Sequence, residues 1–588
     1  MKRIISPALV LTLLVLCLYA PILPAQDQHD YTWLLGSNNN NPAGFFGADY
    51  IHFDQGVPTV QFFVSPMDLW VPCIMSDEHG NLLFYTNGCK ILNKQHALME
   101  NGDNINSGST HDLYCINTGY PAVHSLMALP YPGHDEQYFL FHQRDYGDTY
   151  NYDLLFSRID MKANGGQGKV LEKNVGLIHD TLGLTVSAVK HANGRDWWIM
   201  TGEQYNDNLY CFLLDTSGIH PTPIVHAASW MEPDQYPGII CFSPDGRKMA
   251  HSGQGSPAAF RIYDFDRCTG EISNPVDLEI PDDEAYVSWP CFSPNSRYLY
   301  LTNLVSKLYQ YDTWASDIGA SVQLIGEYDG FLADYNVPAT MFTMTLGPDQ
   351  RIYMSANNSV RYLHTIHHPD EPGPACDFRQ HDFAMPALFP FFLPNMPNYR
   401  LYNEPGSPCD TLGIQPPIVA QWYSEPDCVA GPTTLAFTDI SYFQPTYWHW
   451  SFGDGDTSLL QSPVHAFPSA GEYNVCLIAC NEAGLCDTLC RTLQVTVLSD
   501  TEAPNPESDV QITVWPNPAN QHLWVAHDPM PSAGFVLFDL SGREILRQSF
   551  QPGKGIESIT LGKLPVGLYF WQIRTRDLTR SGKLVIQR

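Results

Sequence analysis

The sequence predicts an all-β protein of several domains, and three observations support this. Its 588 residues exceed the ~250 to 300 at which a single hydrophobic core stops growing. Aromatic residues make up 12%, and 46 Pro and 43 Gly are spread along the chain, which is typical of strands joined by turns. A pattern of alternating strands and turns also recurs along the first four hundred residues.

Residues 1–25 predict a secretory signal peptide, because Lys2 and Arg3 precede an apolar run that ends near Ala25. We expect the mature chain to begin near Gln26. No later stretch is long and apolar enough to span a bilayer. Export permits disulfide bonds, and every cysteine except Cys17 lies beyond this segment.

The charge is strongly acidic and unevenly distributed. The formal net charge is −31, and removal of the two basic residues of the leader makes it −33. Residues 511–588 hold nine Lys or Arg against five Asp or Glu, a net of +4, so residues 26–510 carry −37. Such a body repels nucleic-acid phosphates, which argues against a nucleic-acid partner.

Two similar segments lie fifty residues apart: "CFSPDGRKMAHSGQGSPAAFRIYDFD" from Cys241 and "CFSPNSRYLYLTNLVSKLYQYD" from Cys291. Weaker copies begin at Ser76, Pro132, His191 and Gly347. A spacing of roughly 50 to 60 residues matches one four-stranded blade of a β-propeller. We therefore predict a propeller over residues 26–405, with seven blades favoured and six as the alternative. Residues 383–402 would pair with an early strand at 47–53 to close the seventh blade.

The "FSPDG" and "FSPNS" turns resemble those of WD-repeat-like blades in bacterial surface propellers. The segments "GFFGADYIHF" and "MSDEHGNLLFYTNGCKILNKQHALMENG" resemble the opening of large exported propeller proteins with surface-targeting tails. This resemblance implies architecture rather than activity, because propellers include lyases, hydrolases and binding proteins.

Residues 415–498 contain "YWHWSFGDGDTSLLQSPVHAFPSAGEYNVCL", which resembles a PKD domain, an immunoglobulin-like β-sandwich of extracellular proteins. Under this resemblance Trp450 and Phe452 point inward, and Asp454 and Asp456 shape a hairpin turn. The two carboxylates are also the candidate metal ligands. A helix-flanked calcium loop needs further oxygen ligands and a distal Glu, so we expect no cofactor beyond a weakly bound calcium ion.

Two disulfide bonds are predicted in the segment "CLIACNEAGLCDTLC". If the strands around "NEAG" form a hairpin, Cys476 lies opposite Cys490 and Cys480 lies opposite Cys486, since both pairs of residue numbers sum to 966. Both pairs share one face, because 476 and 480 differ by an even number. A zinc site with four cysteine ligands is the alternative, and it fits a flat ladder poorly.

After an acidic linker at 499–510, residues 511–588 resemble a type A sorting domain of type IX secretion. The segments "VWPNPA", "LFDLSGREI" and "LPVGLYFWQIRTRDLTRSGKLVIQR" carry this resemblance. It implies a small β-sandwich that is read by the type IX secretion machinery. The protein would then be released or attached to the outer surface of a Gram-negative bacterium.

No catalytic residues are predicted. The sequence has no zinc-peptidase helix motif, nucleophile elbow or phosphate loop, and the cluster His364, His367 and His368 is interpreted as satisfied surface or rim residues. Three segments ahead of innermost strands do share carboxylates beside tyrosines, a combination suited to sugars, amines or basic peptides. The predicted ligand-binding residues are Asp234, Tyr236, Asp283, Tyr286, Asp334 and Tyr335. The alternative is that these are polar loop tips with tyrosines packed between blades.

Two function classes remain open. The first is a non-catalytic surface or secreted protein whose propeller binds a glycan or protein ligand, with the PKD-like domain as spacer or auxiliary binder. The second is an extracellular hydrolase or lyase acting on polysaccharide or protein. Carboxylates about 5 to 10 Å apart in a deep channel would favour a glycosidase, whereas a plugged channel would favour binding.

Overall fold

A computed structural model describes residues 27–41, 45–53, 58–121, 123–145, 151–183, 185–203, 208–227, 236–254, 259–281, 289–389, 391–414, 417–426, 433–443 and 445–495, with shorter stretches between 512 and 586. The predicted signal peptide and the linker at 499–510 lie outside these residues. The chain divides into two compact units, residues 1–497 and 498–588.

Seven antiparallel sheets account for the described strands of the first four hundred residues. The first two sheets have three strands each: β1 Thr32–Asn41, β2 Phe46–His52 and β3 Thr59–Phe63, then β4 Cys73–Ser76, β5 Leu82–Thr86 and β6 Ile91–Asn93. The third and fourth sheets comprise β7 Leu126–Pro130, β8 Gln137–Asp145, β9 Asn151–Asp160 and β10 Lys169–Leu182, then β11 Ser187–Lys190, β12 Trp197–Gly202, β13 Asn208–Asp215, β14 Gly218–Ile219 and β15 Ile224–Ala227.

The remaining three sheets have four strands each, joined in chain order. Their strands are β16 Tyr236–Phe242, β17 Lys248–Gln254, β18 Ala259–Phe265 and β19 Ile272–Glu279; β20 Trp289–Phe292, β21 Tyr298–Thr302, β22 Lys307–Asp312 and β23 Gln323–Glu327; and β24 Met344–Leu346, β25 Ile352–Met354, β26 Val360–Ile366 and β27 Phe378–Phe389. The described helices are α1 Ser109–Tyr114 and α2 Ala163–Gly166, with 3-10 turns at Gly319–Ser321, Asp334–Asn336 and Gly373–Cys376.

The sheets are arranged as a β-propeller, as predicted. β4 contacts β7, and β11, β16, β20 and β24 contact one another in that order, so the first strands surround a common axis. Strands such as β5 and β21 are buried at every position, because neighbouring sheets cover both of their faces. The number of blades stays a prediction, since two of the seven sheets have only three strands.

The predicted closure of the ring was wrong in its strand pairing. β27 pairs with β26, whereas β2 pairs with β1 and β3, and no ladder among the described residues joins β27 to β2. The two segments are nevertheless adjacent, because the Leu388 amide donates a hydrogen bond to the Phe45 carbonyl. The Ala387 amide donates to the buried Asp49 carboxyl at 2.9 Å.

The described residues between 417 and 495 form a two-sheet sandwich. One sheet contains β28 Trp422–Pro426, β29 Thr434–Asp439 and β32 Val464–Ala466, and the other contains β30 Tyr447–Ser451, β31 Thr457–Ser458, β33 Gly471–Cys480 and β34 Cys486–Val495. Trp450 and Phe452 are buried between the sheets with Trp422 and Phe437. The alternation of side chains along β30 explains this, because every second residue faces the same way.

The second unit also contains two sheets. Its strands are β35 Ile512–Trp515, β36 His522–His527 and β39 Ile556–Thr560, and then β37 Gly534–Phe538, β38 Glu544–Ser549, β40 Gly567–Arg574 and β41 Thr579–Ile586. Leu523, Phe535, Ile559, Ile573 and Leu584 belong to a core of its own. None of the helices in the described part of the chain is long and apolar enough to cross a membrane.

Candidate ligand-binding face

The strand order defines two faces of the propeller. In a four-stranded antiparallel sheet, the first-to-second and third-to-fourth turns lie on one side, which we call the turn face. The connections from each last strand to the next first strand lie on the other side, the connection face. The three predicted ligand-binding segments fall between β15 and β16, β19 and β20, and β23 and β24, so all belong to the connection face.

Only part of the predicted site can be placed. Asp234, Asp283 and Tyr286 lie outside the described residues. Tyr236 is the first residue of β16, but its side chain is likewise outside the description. The convergence of these residues on one ligand therefore stays a prediction.

Asp334 and Tyr335 lie in a 3-10 turn that an ion pair holds in place. The Arg361 guanidinium is buried and donates from Nε to Asp334 Oδ2 at 2.6 Å. Tyr335 has a φ of 62°, an uncommon conformation for a bulky residue, and its side chain is 63% exposed. Its ring lies parallel to that of Phe46, with centroids 6.4 Å apart. One predicted carboxylate thus has a structural partner, and its neighbouring tyrosine is exposed beside Phe46.

The central channel is filled by residues 391–402. Asn395 Nδ2 lies 2.8 Å from the Val186 carbonyl and 3.1 Å from the His124 carbonyl, and Asn398 Nδ2 donates to the Pro244 carbonyl at 2.8 Å. The Tyr399 hydroxyl donates to the Ala128 carbonyl at 2.8 Å. Sequence reasoning missed this role. The sequence does contain a signal against a paired strand here, because proline is excluded from central strands and this segment has Pro390, Pro394 and Pro397.

A cavity of about 130 Å³ remains beside this segment. Of the described residues that line it, Asp30 supplies the carboxylate, and Arg400 Nη2 donates to that carboxylate at 2.6 Å. Burial lowers the pKa of the lining His124 to about 3, so its ring is neutral at physiological pH. The described lining therefore offers neither a free pair of carboxylates nor a charged histidine.

The sandwich domain docks on the turn face. Arg351, which follows the β24–β25 turn, donates from Nη2 to Glu425 Oε1 at 2.5 Å, and its guanidinium lies 4.5 Å from the Tyr423 ring centroid. Gln350 donates to the Ile440 carbonyl at 3.2 Å, and the Tyr442 hydroxyl donates to the Pro348 carbonyl. All of these contacts lie on the turn face, and none of them involves the connection face.

Asp454 and Asp456 shape the turn after β30, as the sequence predicted, and the structure adds His465. Asp454 Oδ1 accepts from the Asp456 amide at 3.0 Å, and Asp454 Oδ2 lies 2.7 Å from His465 Nε2. Burial alone would raise the pKa of Asp454, but these hydrogen bonds hold it below its usual range. Ligand atoms of the three residues lie within 4.8 Å of one another, so they could hold a metal ion. Calcium binding stays a prediction.

The prediction that His364, His367 and His368 are surface or rim residues was wrong for the first two, and His368 is half-buried. His364 and His367 are buried, and each has its own partner. His364 Nε2 hydrogen-bonds the Thr340 carbonyl at 3.0 Å, and His367 Nε2 lies 2.7 Å from Asp382 Oδ2.

Disulfides join Cys476 to Cys490 and Cys480 to Cys486, with each pair directly opposite in the β33–β34 ladder. Their Cα separations are 4.0 and 4.1 Å, as expected for closely spaced antiparallel positions. Two further disulfides, Cys89–Cys115 and Cys268–Cys409, were not predicted, because their partners are far apart in sequence and in different elements.

Family models match two segments: a PKD domain at residues 416–497 and a secretion system C-terminal sorting domain at 513–587. The chain carries a PKD domain and a type IX sorting domain. The sorting domain indicates a protein that is secreted or attached to the outer surface of a Gram-negative bacterium, so the predicted localisation is confirmed. It also implies interaction with the secretion machinery.

Several solved structures are similar to parts of the chain. The PKD1 domain of the Vibrio cholerae metalloprotease PrtV is 24% identical and covers 14% of this chain and 99% of its own, with a TM-score of 0.13. The periplasmic gluconolactonase PpgL of Pseudomonas aeruginosa is 12% identical, and the match covers 79% of this chain and 97% of that protein, with a TM-score of 0.33. The Cps50 (Swd1) β-propeller domain of Myceliophteria thermophila is 11% identical, and the match covers 55% of this chain and 92% of that domain, with a TM-score of 0.29. No curated protein matches the chain.

Proposed function

We propose that this protein is an extracellular binding protein exported by type IX secretion. Its propeller recognises a glycan or peptide through the connection face, and its PKD domain supports the propeller from the turn face. The observation that carries the proposal is the filled channel. Residues 391–402 occupy the position where a deep catalytic cleft would lie, and the cavity beside them holds only about 130 Å³. A pocket for a small organic ligand commonly measures about 300 to 1,000 Å³.

The position of the PKD domain supports the same function. Its described contacts with the propeller include the turn after β24, His367 after β26, and Arg400, all on the turn face. None of these described contacts involves the connection face, to which the predicted ligand-binding segments belong. Binding residues are commonly found on loops that a rigid scaffold holds in position.

The proposal is tested by replacing both Tyr236 and Tyr286 with Ala. An aromatic ring contributes on the order of 1 kcal/mol per contact, so the double variant should bind its ligand at least tenfold more weakly. Binding is measured on a glycan and peptide array with the purified secreted protein, followed by titration of the strongest ligand. Under this proposal the melting temperature should be unchanged, because residues of a binding surface contribute little core packing.

Tyr447→Ala provides the matched control, since Tyr447 is an exposed tyrosine of the PKD domain. It should leave binding unchanged. A double variant that unfolds early, yet binds like the parent protein once folded, would show that the two tyrosines pack between blades. That result would refute the ligand site.

A further inference from the structure

Trp314 is an exposed tryptophan that the proposed function does not use. It follows β22 in the third-to-fourth connection of the sixth sheet, which places it on the turn face, opposite the predicted ligand-binding segments. Its side chain is 62% exposed. Exposure of a single large apolar residue is common and indicates nothing by itself, so its surroundings decide its significance.

The indole is held in place by its neighbours. Arg297 donates to Asp312 through Nε at 3.1 Å and through Nη2 at 2.6 Å, a bidentate pair. The same guanidinium lies 5.4 Å from the centroid of the Trp314 ring, within the range of a cation–π contact. Asp312 Oδ1 also accepts from the Trp314 amide at 3.0 Å. The ring is therefore restrained before any ligand arrives, which lowers the entropy lost on binding.

Two clefts adjoin this Trp314–Arg297 stack. The first has a volume of about 770 Å³ and is lined by Trp314 and by the turns after β16 and β18. The second has a volume of about 600 Å³ and is lined by Arg297, Tyr298 and Asp312. Residues 404–408 form one wall of the first cleft, which the Cys268–Cys409 disulfide and the Arg247–Glu404 ion pair fix in position. Together the clefts offer space for several units of a chain-like ligand.

The walls of the first cleft are rich in acceptors. Asp266 Oδ1 accepts from the Cys268 amide at 2.7 Å, and Asp245 Oδ1 accepts from the Arg247 amide at 3.0 Å. A carboxylate has about four lone-pair sites, so both groups retain capacity for hydroxyl donors. Among the described residues that line this cleft, the cations are Arg247 and Lys248, which already pair with Glu404 and Asp264. The lining is therefore net negative and repels anions.

We propose that the two clefts of the turn face bind a neutral saccharide chain, with Trp314 as the stacking platform. The apolar face of a sugar ring packs on the indole, while its hydroxyl groups donate hydrogen bonds to the surrounding carboxylates. This site is separate from the one on the connection face and does not depend on it.

The test uses isothermal titration of the purified secreted protein with four neutral probes: cellohexaose, xylohexaose, laminarihexaose and mannohexaose. At least one should bind, and Trp314→Ala should weaken that binding tenfold or more at an unchanged melting temperature. Trp314→Phe retains an aromatic face and should keep part of the affinity. Tyr447→Ala, an exposed aromatic of the PKD domain, should bind like the parent protein.

Three results would overturn the inference. The first is that no hexaose binds at about 1 mM, and the second is that Trp314→Ala binds a hexaose as tightly as the parent protein does. The third is that hexalysine alone binds in a Trp314-dependent manner. Tyr335→Ala separates this site from the proposed one. If that change abolishes hexaose binding while Trp314→Ala leaves it intact, the connection face binds the saccharide and only the turn-face site is refuted.

Discussion

Four of the buried histidines in the described part of the propeller have neutral rings. Burial lowers the pKa of His124 and His142 to about 3, and that of His251 and His364 to about 4. An unfolded histidine titrates near 6.5, so below this pH the unfolded chain binds protons that the folded chain does not. The contribution of these four histidines to stability should therefore be fully present above pH 6.5 and fall progressively toward pH 4. Urea unfolding at pH 7.5, 6.5, 5.5 and 5.0 measures this slope.

His142→Gln provides the variant and His79→Gln the control. His142 is fully buried between Asn106 Oδ1 and Ser157 Oγ, whereas the side chain of His79 is 69% exposed. The first change should flatten the slope between pH 6.5 and 5.0, and the second should leave it unchanged. Equal slopes of stability against pH in the parent protein and both variants would contradict the conclusion that buried His142 contributes to the slope.

Asp370 should show the opposite dependence on pH. Burial raises its pKa to about 6, above the usual value of an aspartate. The folded state therefore disfavours the ionised form, and the stability present below pH 4 is lost as the pH rises through 6. Asp370→Asn should raise the free energy of unfolding by about 1 to 3 kcal/mol at pH 7.5 and change it little at pH 4. An unchanged midpoint of urea unfolding at pH 7.5 would refute this.

Sequence reasoning succeeded for residues whose environment is set locally. Trp450 and Phe452 face inward because a strand alternates its side chains, and Asp454 shapes a turn because it precedes Gly455. The partner of Asp454 was not predicted. His465 lies on another strand and meets Asp454 only after the two sheets of the sandwich have packed together.

Among the structural elements, the β33–β34 hairpin was the most predictable, because one register determines both of its cysteine pairs. The channel segment 391–402 was the least predictable. Its hydrogen-bond partners come from β7, the turn after β16 and the residue before β11, each brought to the axis by the closure of the ring. No local pattern encodes such a set of contacts.

The two types of disulfide should differ in their effect on stability. Cys268–Cys409 closes a separation of 141 residues, whereas Cys480–Cys486 closes a separation of 6. In the chain-entropy model the larger loop restricts the unfolded state more, by roughly 4 to 5 kcal/mol for about a hundred residues. The Cys268→Ser/Cys409→Ser variant should therefore have a lower melting temperature than the Cys480→Ser/Cys486→Ser variant. Calorimetry of both paired variants measures the difference, and the reverse order would contradict the model.

At the scale of the whole molecule, the sorting domain should be dispensable for folding and required for export. It forms its own compact unit with its own core, and its charge is opposite to that of the body. Deletion of residues 511–588 should leave a folded protein in the periplasm. Cell fractionation and limited proteolysis test this, and normal surface or medium levels of the truncated protein would refute it.

The route of the chain through its own channel has a consequence for the order of folding. The N-terminal Asp30 pairs with Arg400, 370 positions later, and the axis is filled only when residues 391–402 arrive. During synthesis from the N-terminus, the early sheets can form hairpins, but the ring stays open until those residues have emerged. Contacts of such long range slow folding and leave strand edges unpaired meanwhile. The interval before closure is therefore the stage at which this chain is most exposed to aggregation and proteolysis.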